Sequence, residues 1–141
     1  MKNFENVIKE LEKSGIDGIL RRIDEIGRMV IPINYRVGEF SGEITLYLYV
    51  VGEYVILSKE NVNNLGVERT IDEIGRITIK LDTREKLNWK EKDHIVVWCY
   101  KGYIIMKKME EKCVFCSTKN KLAQYMGKLI CKKCKSKLIE V

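Results

Sequence analysis

Histidine and proline occur once each in this chain, as His94 and Pro32. One histidine cannot build a His-based metal set. No nucleophile–base pair, open metal site or glycine-rich phosphate loop accompanies it, so an enzyme is not expected. His94 is expected to open a strand in a surface or capping role. Pro32 lacks an N–H and fits a strand end or edge. No apolar run approaches the roughly 20 residues of a membrane-spanning helix. The first residues mix Glu5, Glu10 and Glu12 among apolar positions, unlike a secretory leader. Low-complexity sequence is missing too. The expectation is a cytoplasmic chain with no membrane segment.

Arginine is missing from most of the chain, whereas lysine is spread along the chain on both sides of 14–58, which has none. All seven arginines (Arg21, Arg22, Arg28, Arg36, Arg69, Arg76 and Arg84) fall in two regions. These regions share a hexapeptide: Ile23-Asp24-Glu25-Ile26-Gly27-Arg28 returns as Ile71-Asp72-Glu73-Ile74-Gly75-Arg76, 48 residues later. The likeness extends over 18–31 against 66–79, and the pairs 21/69, 28/76 and 36/84 keep the same offset. An internal repeat of this period predicts two like structural units. A guanidinium is a flat, permanently charged fork that grips phosphate oxygens or a guanine edge through two hydrogen bonds. Repeating it at one register presents the same contact twice. The neighbouring Asp24, Glu25, Asp72 and Glu73 sit in tight turns, where carboxylates orient arginines or satisfy turn N–H groups rather than act as a catalytic pair.

The chain has 141 residues, is 45% hydrophobic and 33% charged, and carries a formal net charge of +6. That is enough chain for one or two small cores. The charge is uneven. The 109–141 tail is the most basic part, and the first copy is not basic in sum. An anion site there must come from arginines placed on one side and carboxylates on another.

The period of the apolar residues gives the elements. Residues 3–14 read as a short amphipathic helix, with Phe4, Val7, Ile8 and Leu11 on one side and Gly15 ending it. It is expected to pack on the body or on a partner chain. Each copy then reads as strand, turn, strand, helix or turn, hairpin. In the first, 19–23 and the return strand flank a turn at 24–27, with Met29, Ile31 and Ile33 pointing one way. Runs 44–50 and 54–57 form a hairpin. In the second, Asp82 or Thr83 is expected to cap a helix, and 95–100 and 103–106 form a hairpin around Lys101-Gly102. Cys99 is expected as a small buried hydrophobe, and Trp89, Trp98 and the tyrosines as core. One unit of about 45 residues cannot bury enough apolar surface alone, so the two are expected to complete each other.

Four of the five cysteines form Cys113-Val-Phe-Cys116 and Cys131-Lys-Lys-Cys134, a Cys₄ pattern for tetrahedral structural Zn²⁺. Four thiolates leave no open catalytic position. A hairpin around Gly127 and a helix after Cys131 resemble a treble clef. So short a segment with few apolar groups would draw its stability from the metal.

The stretch Gly18-Ile-Leu-Arg-Arg-Ile-Asp-Glu-Ile-Gly-Arg-Met-Val-Ile-Pro-Ile33 resembles the N-terminal signature of the AbrB family of bacterial transition-state regulators. Residues 66–108 resemble the same domain throughout. The resemblance implies a mainly β fold with short helices, a swapped-hairpin β-barrel from two interlocking strand-strand-helix-strand-strand units. It also implies a sequence-specific, nucleoid-associated regulator that displays Arg21, Arg22, Arg28, Arg36, Arg69, Arg76 and Arg84 to double-stranded DNA. Lys80 stands where the family has proline, and Val37 and Glu85 where it has a second arginine. Few Asn or Gln side chains lie near the turns, so readout of DNA shape is a reasonable expectation. The expected organisation is an N-terminal helix (1–17), repeat 1 (18–59), a linker (60–65), repeat 2 (66–108) and a zinc module (109–141). The module is expected to join chains into a homodimer or higher homo-oligomer. The rival expectation is an antitoxin-like or adaptor protein-interaction module.

Overall fold

Apolar residues at helical spacing open the chain. In the computed structural model, which describes residues 2–36, 41–109, 122–125 and 128–131, the helix α1 spans Lys2–Ser14. Gly15 ends it at φ +70°, a conformation that costs glycine nothing. Strands follow: β1 Ile19–Arg22, β2 Arg28–Val30, β3 Ile44–Val51, β4 Tyr54–Ser58, β5 Val67–Ile71 and β6 Arg76–Thr78. Helix α2 covers Leu81–Leu87, and β7 His94–Tyr100 and β8 Tyr103–Lys108 close this part. Strands β9 Leu122–Tyr125 and β10 Lys128–Cys131 pair with each other further on. The chain divides into two compact units, Met1–Lys108 and Met109–Val141. The fold is mainly β, with antiparallel pairing throughout the described strands.

In the first unit six strands form one sheet in the order β1-β7-β8-β4-β3-β5, while β2 and β6 form a separate two-stranded ribbon. Alternation along each strand divides the sheet residues between two apolar layers. Val55, Leu57, Ile104, Met106, Leu46, Leu48, Ile95 and Val97 face one layer, which Ile23, Met29, Ile31, Ile71, Ile77, Ile79 and Trp89 complete. Tyr49, Tyr54, Ile56 and Ile105 face the other, which Phe4, Ile8 and Leu11 of α1 cover. The Phe4 ring lies 4.8 Å from that of Tyr49 and meets Tyr103 edge-on at 5.4 Å. Burying each such side chain contributes about 1.5–3 kcal/mol. Polar bonds fix the helix in place: Tyr54 Oη donates to Glu12 at 2.9 Å, Trp98 Nε1 donates to the Ile16 carbonyl at 3.0 Å, and Lys101 pairs with Glu10.

The strand pairing crosses between the two sequence copies. Strand β1 pairs with β7 of the other copy, and β5 with β3. Arg21 stands opposite Ile95, and its counterpart Arg69 opposite Leu46. Where like strands meet, the register is self-symmetric. Met29 faces Ile77, flanked by Arg28–Thr78 and Val30–Arg76. Ile56 faces Ile105, flanked by Val55–Met106 and Leu57–Ile104.

Several local expectations need correcting. Ile33 is exposed rather than aligned with Met29 and Ile31, because the 3₁₀ turn Ile33–Tyr35 begins right after Pro32 and breaks the alternation. Lys80, not Asp82 or Thr83, occupies the cap of α2 and makes no side-chain cap bond, while Asp82 accepts from the Thr83 N–H at 2.8 Å. Cys99 is exposed, two residues before the Lys101-Gly102 turn at the end of the β7–β8 hairpin. His94 does open β7 but is buried, because Arg22 lies against it from the paired strand.

Candidate nucleic-acid interface

Each Asp-Glu-Ile-Gly-Arg turn is closed by its aspartate. Asp24 Oδ1 accepts from the Arg28 N–H at 2.8 Å and from the Ile26 N–H at 3.1 Å. The Gly27 N–H donates to the Asp24 carbonyl at 3.1 Å, and the Asp24 N–H to the Arg28 carbonyl at 3.0 Å. Asp24 Oδ2 takes the Arg28 side chain through Nε at 3.0 Å. The second turn repeats this set: Arg76 N–H to Asp72 Oδ1 at 2.8 Å, Ile74 N–H at 3.1 Å, and Arg76 Nε to Oδ2 at 2.7 Å. The Arg28 and Arg76 N–H groups, then their guanidinium groups, hold both carboxyls below the ordinary carboxylate value. Glycine is required at the fourth turn position, since Gly27 and Gly75 sit at φ +85° and +88°.

The turns aim their arginines at one surface. Met29 and Ile77 point into the core, so Arg28, Val30, Arg76 and Thr78 point outward from the ribbon. The Arg28 and Arg76 side chains are 41% and 46% exposed. They occupy diagonal positions of the ladder, roughly 7–8 Å apart at the backbone. Arg69 Nε donates to the carbonyl of Thr78, the residue paired with Arg28. Arg28 and Arg76, one from each copy, thus project from the ribbon, and Arg69 bonds to its main chain. Each Nε bond to aspartate leaves a guanidinium with its two Nη groups, the fork that suits a phosphate. The Ile26, Gly27 and Arg28 N–H groups, and Ile74, Gly75 and Arg76 in the second turn, are all taken by the aspartate, so the arginine side chains are the main groups left to meet an anion.

The other arginines are placed differently. Arg22 Nε donates to His94 Nε2 at 3.1 Å, and Arg21 Nη1 to the Leu20 carbonyl at 3.0 Å, both on the edge strand β1. Arg36 Nε donates to the Ile31 carbonyl at 3.0 Å and Arg84 Nε to the Ile79 carbonyl at 2.9 Å. The structure therefore brings Arg28 and Arg76 to the ribbon face, keeps Arg21 and Arg22 at the sheet edge, and engages Arg69, Arg36 and Arg84 with main chain. Ile26 and Ile74, 52% and 59% exposed at the turn tips, were not singled out by sequence reasoning. Their identical place in the hexapeptide is the signal that could have found them.

Of the zinc-ligand candidates, Cys113, Cys116 and Cys134 lie outside the described residues, and Cys131 ends β10 opposite Leu122. The donor set itself, four thiols in two C-x-x-C pairs, suits tetrahedral Zn²⁺. Among the described residues no helix is long and apolar enough to cross a membrane.

Compared with protein-family models, curated proteins and solved structures, the chain finds no match in any of the three.

Proposed function

We propose that this chain is a sequence-specific transcriptional regulator that binds double-stranded DNA in the manner of the AbrB family. In this reading residues 18–59 and 66–108 are tandem repeats that close one swapped-hairpin barrel within the chain. The 109–141 module holds structural Zn²⁺ and joins chains into a homodimer or higher oligomer in the cytoplasm, on the nucleoid. The observation that carries the reading is the β2–β6 ribbon, which displays Arg28 and Arg76 side by side on its outer face, each oriented by its own aspartate. Such pre-oriented forks neutralise phosphates and release counterions, giving affinity that falls steeply with salt. Arg69 adds a cation bonded to the ribbon's main chain at Thr78, and Arg21 and Arg22 extend the basic character along β1.

Fluorescence anisotropy with duplex DNA at several salt concentrations tests this. Wild type is expected to show a steep negative dependence on salt. Arg28→Ala plus Arg76→Ala should flatten that slope by about one unit for each phosphate contact removed. Equal affinity and slope in both proteins would remove the ribbon from the interface.

A second reading, an adaptor that docks a protein on the same ribbon, is favoured by Ile26, Ile74 and Val30, apolar groups exposed among the arginines. A phosphate backbone has no use for them. Ile26→Ser plus Ile74→Ser should leave DNA affinity nearly unchanged under the first reading.

A further inference from the structure

Arg36 and Arg84 match the repeat as the pairs 21/69 and 28/76 do, yet their surroundings differ. Each bonds through Nε to a carbonyl five residues earlier in its own copy, Ile31 or Ile79. Each also lies against the turn glycine of the other copy. A Cβ added to Gly27 would fall 2.5 Å from Arg84 Nε and 2.8 Å from Arg84 Cζ. A Cβ added to Gly75 would fall 2.5 Å from Arg36 Cζ. Each guanidinium occupies the space where a side chain on the opposite turn would begin.

Main-chain bonds close the circuit. The Ile79 N–H donates to the Gly27 carbonyl at 2.8 Å, and the Ile79 carbonyl accepts from Arg84. The Ile31 N–H donates to the Gly75 carbonyl at 2.8 Å, and the Ile31 carbonyl accepts from Arg36. Glycine carbonyl, isoleucine peptide and guanidinium thus form a closed clasp around each turn. One member of each clasp is a glycine of one copy, and the other two belong to the other copy.

We propose that Arg36 and Arg84 are positioning residues, each clasping the opposite repeat's Asp-Glu-Ile-Gly-Arg turn so that its arginine, Arg76 or Arg28, is held in place. Arg84 sets the turn that carries Arg28, and Arg36 sets the turn that carries Arg76. The clasps exist in the free protein. Only their consequence for DNA rests on the reading proposed above. They make the two halves of the surface interdependent: disturbing one copy's arginine loosens the other copy's contact.

The test is amide hydrogen exchange of the full-length, DNA-free protein, read by NMR. Arg84→Ala should speed exchange at Gly27, Arg28 and Ile79 by at least ~10-fold through local opening, while Gly75, Arg76 and Ile31 stay near wild type. Arg36→Ala should give the opposite address. Change at both turns alike, at neither, or only within α2 overturns the proposal. If the alanine variants do not fold, Arg84→Lys and Arg36→Lys, which lose the planar Nε–carbonyl geometry but keep the stem, should show the same addresses with smaller factors. Reciprocally, Gly27→Ala should abolish the slow exchange of Arg84 Nε–H and spare that of Arg36. Loss at both, or retention at both, overturns it as well. With DNA, Arg84→Ala should be non-additive with Arg28→Ala and additive with Arg76→Ala, and the reverse pattern argues against the clasp. Absence of any DNA binding would dismiss the regulator reading and leave the exchange result to stand for itself.

Discussion

A single aspartate does most of the work of each turn. Asp24 closes the chain on itself through two N–H groups and holds the Arg28 guanidinium as well, and Asp72 does the same for Arg76. Both carboxyls titrate below 3.8 in the folded chain, chiefly because of the arginine N–H bonds. A lowered folded value means that the ionised form stabilises the turn. That stabilisation is complete above the unfolded value near 3.8 and is lost as pH falls through the folded value. NMR titration of the Arg28 and Arg76 amides should give midpoints below 3.8, and midpoints at or above it would contradict the bonding described. At this scale the turns were legible because glycine, aspartate and arginine have few alternatives in so short a loop. His94 and Cys99 were misplaced for the converse reason. A residue's burial depends on which strand lies beside it, and neither the Arg22–His94 pairing nor the exposed end of the β7–β8 hairpin is encoded locally.

Elements follow the same division. Strands β3, β4, β7 and β8 could be read from their β-branched and aromatic runs, and α1 from Phe4, Val7, Ile8 and Leu11. What α1 covers was open. It packs on Tyr49, Tyr54, Ile56 and Ile105, a layer whose other side chains come from four strands. Leu11→Ala should therefore cost about 2–4 kcal/mol in urea unfolding of the protein, whereas exposed Glu5→Ala should change it by less than about 0.5 kcal/mol. Equal effects would mean that the helix is not part of the cooperative core. The ribbon was the least legible element. Strands β2 and β6 are three residues each, and they are joined by a register set between copies rather than by a hairpin. The two clasping arginines were visible only as repeated charges, since nothing in their own neighbourhood says that they rest on a distant glycine.

At the scale of the whole molecule, Met1–Lys108 and Met109–Val141 are separate compact units, and the metal proposal concerns the second alone. Protein prepared without added zinc should carry about one equivalent of Zn²⁺, the stoichiometry of one Cys₄ site. Removing it with a chelator should abolish the NMR dispersion of 122–131 and leave the fluorescence of Trp89 and Trp98, both in the first unit, unchanged. Less than half an equivalent would sink the zinc assignment. Past 108, cysteine pairs and lysines replace the alternating apolar residues.

Having both halves on one polypeptide removes a constraint that binds assemblies of identical chains. In those, every substitution is imposed on both sides of the axis at once. Here Arg22 has Thr70 as its counterpart, Val30 has Thr78, and Pro32 has Lys80, so the halves differ around the facing pairs Met29–Ile77 and Ile56–Ile105. Under the proposed DNA-binding reading, a lopsided target can be met by adjusting either side alone, and a library varied in only one half would explore unequal recognition that no self-paired chain can reach.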